Sequence, residues 1–304
     1  MHYRNLGKTG LKVSEVGMGC NRLGDPMHED GFWDDLVRRA IDLGVNNFDT
    51  SEAYGKGRSE EVLGRVVGNR GDLYIASKAS PKVINDVRQI TSAIIFEAVE
   101  KSLKRLQRDC IDVYQLHSPN QEMLARDDWA EGLLRLREQG KIKHCAIAVN
   151  SAKDGIWAIE HGVAEVLQIT YSIFETTPEE ALFDLAKEKG VGLLVRRPME
   201  RGVLTGKFKP NQEVASEHRA SLEKDRLPDM IERAETLRAI GEAYPGGMTR
   251  MALQFSLGPD AVSCIIPGAR KIEQVEENVA ASSGGGFSAD VREQIDAVRK
   301  TWDT

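Results

Sequence analysis

The sequence predicts an α/β fold in which eight parallel strands alternate with helices and close into a (β/α)8 barrel. Two observations carry that expectation. Eight short apolar runs rich in β-branched residues recur through the 304 residues, and their apolarity is continuous, as suits strands of a parallel sheet covered on both faces. Helical patterns fill the gaps, an alternation that in about 300 residues suits a closed barrel. A doubly wound open sheet is the rival. Its glycine fingerprint, G-x-G-x-x-G at a strand-to-helix turn, is not evident, because Gly17-Met18-Gly19-Cys20-Asn21-Arg22 has the first two glycines and lacks the third.

The candidate strands fall at 16–19, 45–48, 73–76, 111–116, 145–149, 166–169, 191–195 and 262–266. Between the second and third, residues 59–68 place Val62, Leu63, Val66 and Val67 on one helical face, with Gly68 as a stop. Residues 92–107 repeat Ile95, Val99, Leu103 and Leu106 at helical spacing. Thr177-Pro178-Glu179-Glu180 reads as a helix start, with a Thr cap, Pro in the first turn and Glu three residues after the cap. That helix ends at Lys189-Gly190, where a cation and a glycine suit a C-terminus.

One interval breaks the rhythm. Residues 197–260, between the seventh and eighth strands, hold a polar stretch from Lys209 to Pro228 and at least one further helix. An insertion of this length on the loop side of a barrel suits a lid or a binding loop. Gly284-Gly285-Gly286 then precedes an extra C-terminal helix near 288–302. The chain reads as one barrel domain, 1–304, without internal repeats.

Composition narrows the function classes. The chain carries 41 Lys+Arg against 47 Asp+Glu, a net charge of −6, which argues against nonspecific nucleic-acid binding. No apolar stretch approaches the roughly 20 residues of a membrane span. The opening Met1-His2-Tyr3-Arg4-Asn5-Leu6-Gly7 lacks a signal-peptide apolar core, so a cytoplasmic location is expected. Cys20, Cys110, Cys145 and Cys264 are widely spaced, so neither a metal site nor a disulfide is expected.

Catalytic groups of such barrels sit at the C-terminal ends of strands. The second candidate strand ends in Asp49, with Tyr54 five residues on; Lys78 follows the third and His117 the fourth. Asn150-Ser151 follow the fifth, and the sixth carries Gln168. Singly, Asp49 could be a turn residue, Lys78 a solvated cation and His117 a satisfied core histidine. Together they bring an acid, a cation, an imidazole and two amides to one mouth. A tyrosine, with an ordinary pKa of about 10, is too weak an acid for rapid proton donation unless a neighbouring ammonium favours the phenolate. Lys78 suits that task, held by Asp49, and His117 suits positioning a substrate oxygen. Donation to a carbonyl oxygen needs a hydride source, which implies a nicotinamide cofactor.

The chain resembles the aldo-keto reductase superfamily along nearly its whole length. The matching segments run from Tyr3 to Ser14, Asn47 to Gly55 (Asn-Phe-Asp-Thr-Ser-Glu-Ala-Tyr-Gly), Ile75 to Lys78, Asp112 to His117, Arg201 to Phe208 and Ile266 to Ala269. The resemblance implies a (β/α)8 TIM barrel and a catalytic tetrad of Asp49, Tyr54, Lys78 and His117. In it, Tyr54 is the general acid or base, Lys78 tunes it, Asp49 anchors Lys78 and His117 orients the carbonyl. It also implies an NADP(H) site. Gly19 and Cys20 fall in it, and Asn150, Ser151 and Gln168 would hold the nicotinamide carboxamide. The family order there is Ser-Asn, reversed here. Arg196 stands where many members stack an aromatic ring on the nicotinamide. Gly268, Arg270 and Lys271 would meet the adenosine phosphate, two cations favouring NADP over NAD. Gln274 stands where many NADP-preferring members have Arg, and Glu277 and Asn278 match adenine contacts.

The expected reaction is reduction of an aldehyde or ketone to the alcohol, the partner being a small carbonyl substrate. The alternatives are a non-catalytic NADP-binding regulatory subunit and a barrel aldolase using Lys78 as its Schiff-base amine.

Overall fold

In the computed structural model, residues 1–212, 226–283 and 287–302 are described. The chain starts with an antiparallel hairpin, β1 (Tyr3–Asn5) and β2 (Lys12–Ser14). The barrel strands follow, beginning with β3 (Met18–Gly19), β4 (Asn47–Asp49) and β5 (Tyr74–Ala79). A second hairpin, β6 (Lys82–Ile84) and β7 (Val87–Gln89), stands between β5 and the fourth barrel strand. The remaining strands are β8 (Ile111–His117), β9 (Ile142–Ala148), β10 (Val166–Thr170), β11 (Gly192–Arg196) and β12 (Val262–Ile265). The eight barrel strands pair in chain order, every neighbour parallel. Parallel bridges Val16↔Ile265 and Gly19↔Gly268 join the last strand to the first. The sheet is therefore a (β/α)8 barrel, as the eight apolar runs predict.

The two hairpins are not among the predicted strands, being only three residues each. The first closes the N-terminal end of the barrel. Its Leu6, Leu11 and Val13 pack with Ala76, Val113, Ala146, Val166, Leu194 and Cys264, a cluster shut off from solvent. Gly7 makes the approach possible: at φ 55°, a Cβ there would stand 2.3 Å from Gly192 N. The second hairpin turns through Asn85 and Asp86, both with positive φ, the two-residue turn whose twist matches that of the strands.

Helices cover the outside. Arg58–Val66 and Ser92–Leu106 lie where the apolar periodicity predicts. Thr91 caps the second by accepting from Ile94 N–H. Gly68 (φ 47°) and Gly190 (φ 70°) end their helices in the left-handed region. The start predicted at Thr177 forms differently. Thr177–Glu179 is a 3-10 turn and the α-helix begins only at Leu182. Glu175 accepts from both the hydroxyl and the N–H of Thr177, the two groups that a capping pair with Glu180 would use. A local carboxylate thus takes the place of the predicted cap.

The long interval after β11 contains a 3-10 segment, Glu200–Thr205, and helices Leu227–Thr236, Arg238–Ala243 and Gly247–Leu257. Residues 213–225 of its polar stretch, and Gly284-Gly285-Gly286, lie outside the described residues. The extra C-terminal helix is Ala289–Arg299, capped by Ser288. No helix among the described residues is long and apolar enough to cross a membrane.

Helix Arg58–Val66 meets Ser92–Leu106 at Gly64, where a Cβ would lie 2.2 Å from Arg105 O. Gly64→Ala should therefore lower stability by about 1–3 kcal/mol through overpacking. Gly31→Ala, at a helical position with open space around it, should be neutral or slightly stabilising. Chemical denaturation of the two variants checks the contrast.

Candidate active site

Asp49 ends β4 with 3% of its surface exposed. A carboxylate this deep in a barrel is tolerable only if every lone pair finds a donor. Its Oδ2 accepts from Lys78 Nζ at 2.6 Å, and its Oδ1 from Gln115 Nε2 at 2.9 Å and Gln168 Nε2 at 2.7 Å. Gln168 Nε2 also donates to Gln115 Oε1 at 3.1 Å. Four strands, β4, β5, β8 and β10, thus meet at one carboxylate. Gln115 is absent from the sequence-predicted site residues. The available signal is a glutamine inside the buried run 111–116, where an amide is costly without a partner.

Lys78 is wholly buried within β5. Besides Asp49, Nζ donates to Thr50 O at 2.7 Å, and it stands 5.1 Å from the centroid of the Tyr54 ring. Burial disfavours its charge, but Asp49 and Tyr54 together outweigh that penalty and hold its pKa above the usual lysine value. The side chain is a fixed ammonium.

Tyr54 opens a tight turn, Tyr54–Gly57, in which Gly55, Lys56 and Gly57 all have positive φ. Its ring meets that of His117 edge-on, centroids 5.8 Å apart. His117 closes β8, and its Nδ1 lies 3.2 Å from Ser51 Oγ and 3.1 Å from Ser80 Oγ. Burial, followed by the cations Lys78, Arg196 and Arg88, pushes its pKa down to about 3. His117 is a neutral imidazole at physiological pH.

These groups open on a cleft of about 1190 Å³ at the C-terminal mouth of the barrel. Asp49, Tyr54, His117, Gly19, Cys20, Asn150, Gln168, Arg196, Gly268, Arg270, Lys271, Gln274, Glu277 and Asn278 all line it; Lys78 lies beneath its floor. Ser151 does not line it. Its exposed side chain caps helix Ala152–Glu160, accepting from Asp154 N–H and donating to Asp154 Oδ2. The reversed Asn-Ser order turns the serine outward and leaves Asn150 alone at the mouth.

Several lining residues are already engaged. The Cys20 thiol is buried in the core, its N–H bonds Asp49 O, and its carbonyl accepts from Ser59. Cys20 thus offers the cleft only a wall. Gln168 has spent its donors on Asp49 and Gln115, leaving Oε1 as an acceptor. Arg196 is fixed by bonds to Val149 O at 2.8 Å and Thr170 Oγ1 at 3.2 Å. Burial and Arg197 bring its pKa down to about 10, so it remains charged. Gln274 Oε1 accepts from Arg270 N–H at 2.8 Å, and Asn278 donates to Gly268 O. Both brace the loop after β12.

The cleft is cationic although the chain is acidic. Arg22, Arg196, Arg197, Arg201, Lys207, Arg270 and Lys271 line it, against the acids Asp49 and Glu277. No cluster of three metal-binding side chains occurs among the described residues.

The chain matches the model of the aldo/keto reductase family over residues 15–300. It is 32% identical to the uncharacterized oxidoreductase YqkF of Bacillus subtilis, over 93% of this chain and 92% of that one. It is 27% identical to a probable voltage-gated potassium channel subunit beta of Arabidopsis thaliana, over 92% and 91%. The holo form of the aldo-keto reductase AKR11C1 from Bacillus halodurans superposes with a TM-score of 0.82 at 30% identity, covering 98% of this chain and 96% of that one.

The depressed pKa of His117 has a consequence for stability. The unfolded state takes up its proton near pH 6.5 and the folded state only near 3. This contribution is fully present above about pH 6.5 and is lost as pH falls toward 3. His117→Asn should therefore lose less stability than the native chain between pH 7 and pH 4.5, as measured by urea denaturation at the two values.

Proposed function

The chain belongs to the aldo/keto reductase family, and on that premise we propose that it reduces an aldehyde or ketone to the alcohol with NADPH, Tyr54 giving the proton. Membership carries nicotinamide-dependent oxidoreduction of small carbonyl compounds. The single observation that carries the finer reading is the buried Asp49–Lys78 pair beside Tyr54 and a neutral His117.

The residues at the mouth fit a dinucleotide. Gly19 and Gly268 present bare backbone: a Cβ on Gly19 would stand 2.6 Å from Ile266 O, and one on Gly268 3.0 Å from Asn21 Oδ1. Helix Ile272–Val279 starts beside them at Lys271, its first amides without a side-chain cap. Helix N-termini and flanking cations favour phosphate. Arg270 and Lys271 together suit the extra phosphate of NADPH. Gln274 spends its Oε1 on the Arg270 amide, which leaves its Nε2 as the donor it could offer the cleft. Asn150 and the free Oε1 of Gln168 would hold the nicotinamide carboxamide. Arg196 presents a planar cation on the same wall.

When bound, the reduced nicotinamide supplies the hydride. The protein manages the oxygen. His117 donates a hydrogen bond that orients the carbonyl. Tyr54 passes its proton to the oxygen as negative charge develops there. The ammonium of Lys78 faces the charge left on the phenol, and Asp49 keeps that ammonium aimed.

The geometry opposes the aldolase reading. A Schiff base needs a neutral amine, whereas Lys78 is buried, doubly bonded and held protonated. The likeness to a potassium channel subunit beta keeps a regulatory reading in view.

With NADPH and a reactive aromatic aldehyde, the native chain should turn over, and Tyr54→Phe should lose about 10²–10⁴-fold in kcat. Tight NADPH binding without turnover across a broad carbonyl panel would instead support the regulatory subunit. Replacing Arg270 and Lys271 together by Ala should weaken NADPH binding by about tenfold or more, a loss of about 1.4 kcal/mol or more, and leave NADH nearly unaffected. Fluorescence titration with both cofactors measures the selectivity directly.

A further inference from the structure

Two serines converge on the ring nitrogen of His117 that faces away from the cleft. Ser51 follows β4 and is wholly buried; Ser80 follows β5. Their hydroxyls stand 3.2 and 3.1 Å from Nδ1. Each is itself held. Ser51 Oγ accepts from Ala53 N–H at 3.2 Å, and Ser80 N–H donates to Glu52 Oε1 at 2.9 Å. Nε2 has no hydrogen-bond partner among the described residues, and the ring lines the cleft beside Tyr54.

We propose that Ser51 and Ser80 are positioning residues that fix the tautomer of His117, leaving Nδ1 bare and Nε2–H directed at the substrate oxygen. The argument is one of counting hydrogens. A neutral imidazole carries a single N–H. Were it on Nδ1, the hydroxyl hydrogen of the wholly buried Ser51 would lack an acceptor among the described residues. With Nδ1 bare, its lone pair is that acceptor, and it lies within reach of the half-buried Ser80 hydroxyl as well. Lys78, Arg196 and Arg88 oppose a second proton on the ring. His117 is then a hydrogen-bond donor and not an acid, so the transferred proton comes from Tyr54 alone.

The inference rests on His117 being the group that meets the carbonyl oxygen, and its main test is independent of activity. In protein labelled with 15N-histidine, with His117 assigned by comparison with His117→Asn, long-range 15N–1H correlation should show a bare Nδ1 and a protonated Nε2 from pH 6 to 8. The opposite tautomer, or a mixture, overturns the proposal. In Ser51→Ala/Ser80→Ala the preference should weaken, and kcat/KM for the aldehyde should fall about tenfold or more while NADPH affinity holds. Ser51→Thr, which keeps the hydroxyl, should restore most of the loss. A double variant with unchanged tautomer and unchanged kcat/KM also overturns it. The expected tautomer in a protein that reduces no carbonyl would defeat the proposed function and leave the serine assignment standing.

Discussion

A carboxylate with almost no access to water governs the C-terminal half of this barrel. Taking Asp49 and Lys78 out of water costs several kcal/mol per ion, which their attraction repays only if the remaining lone pairs and hydrogens are also satisfied. Here they are. Gln115 and Gln168 supply donors to one carboxylate oxygen, Lys78 to the other, and Thr50 takes a second ammonium hydrogen. The arrangement sets the register in which β4, β5, β8 and β10 bring polar side chains to one level, and none of the four can shift without stranding a buried charge. The same four bonds aim the ammonium at Tyr54. Structure and chemistry therefore depend on one set of contacts.

The two ends of the barrel are built on opposite principles. At the N-terminal end, the hairpin β1–β2 inserts Leu6, Leu11 and Val13 under the strands, and the cluster is apolar throughout. That closure confines the large cleft to the other end, where Gly19 and Gly268 bring the first and last strands together without side chains between them. A field of cations surrounds the mouth of a chain whose net charge is −6. Such a local inversion of sign concentrates anions at the cleft.

The fold was legible because continuous apolar runs mark buried parallel strands, and because strand ends reveal which polar groups face the mouth. That Asp49, Tyr54, Lys78 and His117 come together at one end of the barrel could be read from their places after the strands. Gln115 could not, because a glutamine within an apolar run does not say which neighbour satisfies it. Ser51 and Ser80 were illegible for a similar reason: a serine hydroxyl acquires a role only through what the fold sets beside it. Ser151 failed in the opposite direction. Its place in sequence suggested the cleft, whereas a serine before a helix is equally fit to cap it, and the cap prevailed. Thr177 lost its cap because Glu175, two residues before it, claimed both its hydroxyl and its N–H.

Within a few ångströms the site holds a lysine kept charged and a histidine kept neutral, and burial acts on both in the same direction. It disfavours the cation in each case. Lys78 escapes because a carboxylate touches it; His117 does not, because its neighbours at Nδ1 are hydroxyls and the nearest charges are positive. A carboxylate in place of either serine would favour the charged form of His117. Hydroxyls satisfy the nitrogen without inviting a proton. The proposed division of labour between a donating tyrosine and an orienting histidine thus rests on which neighbour carries charge, a choice made one layer behind the cleft.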